Sequence, residues 1–281
     1  MNKDFDKLLW EKIQKGIDEK GANHLLALAK SEYKKIVAKN EESRFFIASD
    51  IVTFMREKGI CYTCQGRLPS LCISYLLDFT EFDPTNYNLL SEYYFDSNRY
   101  VMFGVENGRK NEVEQYLLEN YNVVKLAKQD DSGKIYRHAP SYLIIKSKEE
   151  NFPPIAVNGE ECVYVGKEEW FKQKVKDNCL SLIYLIGLDA LDEIGKGERA
   201  QGLCQKDYGL FDDKEVFDRI RRKRDRYLLL GERERIDFSK RSENSIKALA
   251  QTLAPNKEDV YLPHFICYAT LIYKQAFLDR G

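Results

Sequence analysis

The side chains able to do chemistry in this sequence are few and widely spaced. Seven cysteines and three histidines are scattered along 281 residues, and Cys61-Tyr62-Thr63-Cys64 is the one CxxC. A structural zinc needs two further ligands, and neither a second CxxC nor an HxxxH supplies them. An odd number of cysteines set among apolar neighbours suits reduced, buried thiols better than a disulfide framework. His24, beside the start of a helix, reads as a surface or capping residue. His138 opens a strand with Ser141 as its nearest possible partner, too little for a nucleophile and base, and His264 follows Pro263 in an apolar region. Walker A, GxGxxG and GxSxG patterns are all absent. Glu106 ends an apolar strand, and Asp130-Asp131 sit in a polar turn. A single glutamate could hold at most one Mg2+, an ion that wants octahedral oxygen ligation, usually shared with substrate phosphates. The densest basic run is Arg219, Arg221, Arg222, Lys223, Arg224 and Arg226, with Asp225 opposing. On a helix whose apolar positions are Val216, Phe217 and Ile220, these cations gather at the carboxyl end, where they also complement the helix dipole. A solvated helix end and a phosphate-contacting patch both fit that pattern.

The elements that carry these groups follow from apolar spacing. Helices are predicted over 4–17, 23–39, 42–58 and 71–79, the last apolar on nearly every side, then over 109–119. Strands are predicted at 60–63, 100–105 and 122–127. Basic and acidic residues nearly balance, 44 against 45, for a net charge of −1. That excludes the global positive field of many non-specific nucleic-acid binders, so any such contact must be a local patch. No apolar run is long enough to span a bilayer, and the charged, amphipathic start MNKDFDKLLWEK is unlike a signal peptide. A cytoplasmic protein with no membrane partner is expected.

The only pattern long enough to identify lies in 49–108. It runs through Met55-Arg56-Glu57-Lys58-Gly59, Gly66-Arg67, Tyr75-Leu76-Leu77, Thr80-Glu81-Phe82-Asp83-Pro84, Tyr87-Asn88-Leu89-Leu90-Ser91-Glu92-Tyr93-Tyr94-Phe95 and Asn98-Arg99. These pieces resemble the palm of the bacterial DNA polymerase III alpha subunit. Arg137-His138-Ala139 through Ile145, the segments 153–157 and 161–165, a helix over 168–176, Leu182 through Leu191, and Leu210-Phe211-Asp212-Asp213 onward resemble its later palm and the start of its fingers, with strands implied at 141–145 and 181–186. The resemblance implies a mixed sheet of the nucleotidyltransferase-like palm type flanked by helices, with a mostly helical carboxy-terminal region. It further implies a palm-like domain over 1–187, with a hairpin near 129–133 in place of the thumb, and a fingers-like region over 188–281.

In that family two aspartates on one strand and a third on a later strand hold the metals of phosphoryl transfer. Here those positions read Gly104, Glu106 and Tyr184, and the Gly-Arg-Gly-Ser loop reads Gly66-Arg67-Leu68-Pro69. Two ions a few ångströms apart need a rigid set of carboxylates, which one glutamate cannot replace. The resemblance therefore implies a degenerate relative without polymerase activity or cofactor, acting as a DNA- or replisome-binding module in DNA replication. Arg67 and the run from Arg219 to Arg226 would be its nucleic-acid contacts. The alternative is an active or split-polymerase component, using Mg2+ and carboxylates such as Glu106, Asp130 or Asp131. DNA, bound weakly and without sequence preference, or a replication protein is the expected partner. The apolar segment 261–277 is the surface to examine should DNA not bind.

Overall fold

Three amphipathic helices open the chain in the computed structural model, which describes residues 5–96, 100–129, 134–145, 154–164, 179–203, 205–209, 211–223, 227, 245–253 and 261–279. Helix α1 (Phe5–Lys20) buries Leu9, Ile13, Gly16 and Ile17, and Gly21 turns the chain at φ +61°. The helix expected over 23–39 begins as a 3-10 turn, Asn23–Leu25, before α2 (Leu26–Ala38). Helix α3 (Glu42–Glu57) buries Phe45, Ala48, Val52 and Met55. The apolar run at 71–79 gives only a short helix, α4 (Cys72–Leu76). Asp78 turns left-handed at φ +61°, its carboxylate held by Lys20 and Arg56, and Phe79 N–H returns to the Ser74 carbonyl. A polar residue with two cationic partners thus ends a helix that apolar spacing alone would continue.

Strand β1 (Tyr62–Cys64) lies two residues later than expected. Helix α5 (Glu92–Phe95) precedes β2 (Val101–Glu106), and α6 (Lys110–Asn120) leads to β3 (Val123–Gln129). Then follow β4 (Ile135–Ile145), β5 (Pro154–Val157), β6 (Glu160–Tyr164) and β7 (Cys179–Leu188). They form a mixed sheet of order β1-β2-β7-β4-β3-β6-β5. β2 and β7 run parallel, and β4 is antiparallel to both β7 and β3. The strands expected at 100–105, 122–127, 141–145 and 181–186 therefore share one sheet. Strand β4 starts at Ile135, so His138 lies inside it rather than opening it. The turn residues 130–133, with Asp130 and Asp131, and the helix expected at 168–176 lie outside the described residues.

Among the described residues four further helices follow, α7 (Asp189–Gln201), α8 (Lys214–Arg222), α9 (Ile246–Leu253) and α10 (Leu262–Leu278). Val101, Phe103, Val105, Ile183 and Leu185 pack into a core shared with α1, α2, α3 and α4. A second core gathers Phe217, Ile220, Leu249, Ile266, Ile272 and Tyr273 from α8, α9 and α10. Most of α10 from Pro263 to Phe277 is buried, so this part of the expected surface 261–277 is an interior helix, while Tyr261 just before it is exposed. A helix apolar on almost every side is driven to the centre of a core. The result is an α/β fold consistent with a nucleotidyltransferase-like palm, a mixed sheet flanked by helices and followed by a mostly helical region.

Candidate functional site: an occupied sheet face

Alternation along a strand puts every second side chain on the same face. Val101, Phe103 and Val105 point into the first core, so Met102, Gly104 and Glu106 face the other way. Parallel pairing sets Met102 opposite Tyr184, Gly104 opposite Ile186 and Glu106 opposite Leu188. Gly104, Glu106 and Tyr184 consequently share one face on adjacent strands. Gly104 and Tyr184 are offset by two register positions.

Helices α7 and α10 cover that face. A Cβ at Gly104 would lie 2.5 Å from Leu188 Cδ1, 2.9 Å from Gln65 Nε2 and 3.0 Å from Thr63 Cγ2. The space for a side chain there is already filled. Glu106 is 1% exposed, and both its oxygens are engaged. Arg199 Nη1 donates to Oε1 at 2.8 Å and Nη2 to Oε2 at 2.9 Å, while Cys61 N–H donates to Oε1 at 2.6 Å. The same guanidinium donates to the Gly59 carbonyl at 3.1 Å. Its pairing with Glu106 raises the Arg199 pKa. Gly195, one turn before Arg199, lets α7 lie against Glu106, since a Cβ there would meet Oε1 at 2.6 Å. Tyr184 packs edge-on against Tyr100 with ring centroids 5.1 Å apart. A glycine with no room, a carboxylate already forked to an arginine and a ring-packed tyrosine do not fit a pair of Mg2+ ions.

A second polar cluster joins the sheet to α10. Lys274 Nζ contacts Glu81 and lies 3.3 Å from Glu198 Oε1, with only 6% of its side chain exposed. Burial pulls its pKa down, but Glu81 and Glu198 outweigh that and hold it raised. Glu198 also accepts from Tyr208 at 2.9 Å and from Cys61 Sγ at 2.9 Å. Burial, with Glu198 adding to it, pushes the Cys61 thiol up, and burial does the same to Cys64. Both are free thiols, the reverse of an activated thiolate.

Beside this face lies a cavity of about 630 Å³ lined by Gly66, Arg67, Tyr94, Tyr100, Tyr261 and His264, among others. Gly66 sits at φ +74°, and its N–H donates to His264 Nδ1 at 3.2 Å. The Arg67 guanidinium stands 5.2 Å from the Tyr261 ring centroid and donates to the Tyr93 carbonyl at 3.5 Å. Leu68 and Pro69 are buried. His24 behaves as a surface residue, its Nε2 lying 2.8 Å from Asp83 Oδ2.

The described part of the basic run packs near the end of α10, away from Tyr261 and Arg67 at its start. Arg219 bonds the Ala276 carbonyl near the end of α10, Arg221 pairs with Asp218, and Lys223 lies 3.0 Å from Asp279. Arg222 is exposed, whereas Arg224 and Arg226 lie outside the described residues. Sequence reasoning missed Arg199, Tyr261 and the role of His264. One signal was available, because Gly195 inside a helical pattern points to a close approach.

The fold is consistent with a nucleotidyltransferase-like palm, and the sheet face that carries Gly104, Glu106 and Tyr184 is filled by the chain itself. A family model described as "Bacterial DNA polymerase III alpha NTPase domain" matches residues 3–139. The DNA polymerase III subunit alpha of Staphylococcus aureus strain MRSA252 is 30% identical over 122 residues, 41% of this chain and 12% of its own length. The error-prone DNA polymerase of Bradyrhizobium sp. strain ORS 278 is 28% identical over 121 residues, 42% of this chain and 10% of its own length. The chain is a DNA polymerase III alpha-like protein that spans about a tenth of the curated relatives it matches. Tyr184 and the segment from Gly209 lie beyond the family match.

Proposed function

We propose that this protein is a degenerate DNA polymerase III alpha-like chain, catalytically inactive, that serves DNA replication by binding DNA or a replisome protein in the cytoplasm. What supports the reading is the face that carries Gly104, Glu106 and Tyr184. One position has neither a donor nor room for one, and the remaining carboxylate is committed to Arg199. A palm-like unit over 1–187 and a fingers-like unit over 188–281 remain the proposed division. Arg67, with tyrosines around it, is a candidate nucleic-acid contact, since an arginine beside aromatic rings can take a base or a phosphate. The active or split-polymerase alternative would need carboxylates beyond Glu106, from Asp130 and Asp131 or from another chain.

The test is primer extension with Mg2+ or Mn2+ by the purified chain. Product indistinguishable from blank is expected. Extension that disappears in Glu106→Ala overturns the reading.

A further inference from the structure

A buried carboxylate needs a counter-charge. Here the same requirement is met by a side chain. The Arg199 guanidinium spans both oxygens of Glu106 and also reaches the Gly59 carbonyl, so all three acceptors it holds are hard oxygens. Glu106 is almost wholly buried, while the Arg199 side chain is 45% exposed. The cation therefore enters from the solvent side, as an ion would. Gly195 is what lets α7 bring the arginine so close, because any larger residue would strike the Glu106 carboxylate.

We propose that Arg199 is the resident counter-ion of Glu106, filling the role and the oxygen cup that a divalent cation would otherwise take, and so keeping this face metal-free. The inference rests on the inactive reading above but is tested by stability, not by synthesis. A buried charge that loses its partner is strongly destabilising. Removal of the Arg199 guanidinium leaves Glu106 with the Cys61 N–H and the longer-range charge of Arg109, whose Nη1 donates to the same Gly59 carbonyl at 3.0 Å, and opens the carboxylate to solvent and to a hard cation.

The experiment is thermal unfolding of the full chain in EDTA and in millimolar Mn2+, for the parent, Arg199→Ala and Arg199→Ala with Glu106→Gln. The parent should melt at the same temperature in both buffers. Arg199→Ala should melt several degrees lower in EDTA and recover part of that loss in Mn2+. The double variant should ignore Mn2+ and melt above the single one in EDTA. A parent stabilised by Mn2+ overturns the proposal, as does an Arg199→Ala protein that melts like the parent in EDTA or gains nothing from Mn2+. A Mn2+ response retained in the double variant also overturns it, since the ion then binds elsewhere. Inactive synthesis with a failed melting cycle would sink this inference alone, whereas extension activity would sink the reading beneath it.

Discussion

Glu32 shows how one side chain sets a pH window. It is 1% exposed on α2, and its oxygens accept from Cys72 N–H and Ile73 N–H at 3.1 Å each and from the Cys72 thiol at 3.2 Å. Burial raises its pKa from 4.5 to about 7, and the hydrogen bonds at the start of α4 offset only part of that. Because the folded value lies above the unfolded one, the folded state binds the extra proton between them. Stability is then fully present below about pH 4.5 and is lost as pH rises through about 7. The loss amounts to about 3 kcal/mol over that window. Denaturant titrations at pH 5 and pH 7.5 should show it, and in Glu32→Gln the contribution of this residue to the slope should vanish. An unchanged slope in that variant would assign the effect to other groups.

At the level of elements, close approaches of backbone decide where the helices lie. Gly16 faces α4, and a Cβ there would stand 2.0 Å from the Leu76 carbonyl oxygen. That atom belongs to the backbone, so the clash cannot be relieved by turning a side chain. Gly16→Ala should therefore cost about 3 kcal/mol, the upper part of the overpacking range, although alanine is the better helix former. Chemical unfolding measures this directly, and a variant at least as stable as the parent would mean that α1 and α4 do not touch at this point. The same logic places Gly195 against Glu106, where the helix has to come near for Arg199 to reach.

For the whole molecule, charge limits what nucleic acid can do. With a net charge of −1, attraction to DNA must come from patches, and binding should be weak, indifferent to sequence and steeply salt-dependent. Arg219, Arg221 and Lys223 already hold partners within the chain, so a phosphate has to compete for them. Replacing Arg221, Arg222 and Arg224 together should still remove most of any affinity and flatten the salt slope by about one to three units. Fluorescence anisotropy with a short duplex at low and moderate salt reads both quantities. If the triple variant binds as the parent does, the run is a solvated helix end.

Much of this was legible in the sequence because it is local or periodic. The motifs from Met55 to Phe95 carried the polymerase likeness, and that likeness put 100–105 and 181–186 in one sheet. The types at Gly104, Glu106 and Tyr184 already departed from a metal-binding set. Tertiary structure alone decided what stands in its place. Arg199 is 93 residues from Glu106 in sequence, and His264 is 198 from Gly66. No periodicity links such pairs; only the packing of α7 and α10 on the sheet brings them together. The short α4 and the interior position of α10 were decided the same way. Apolar spacing says that a surface will be buried, but partners distant in sequence fix where a helix stops and which core it enters.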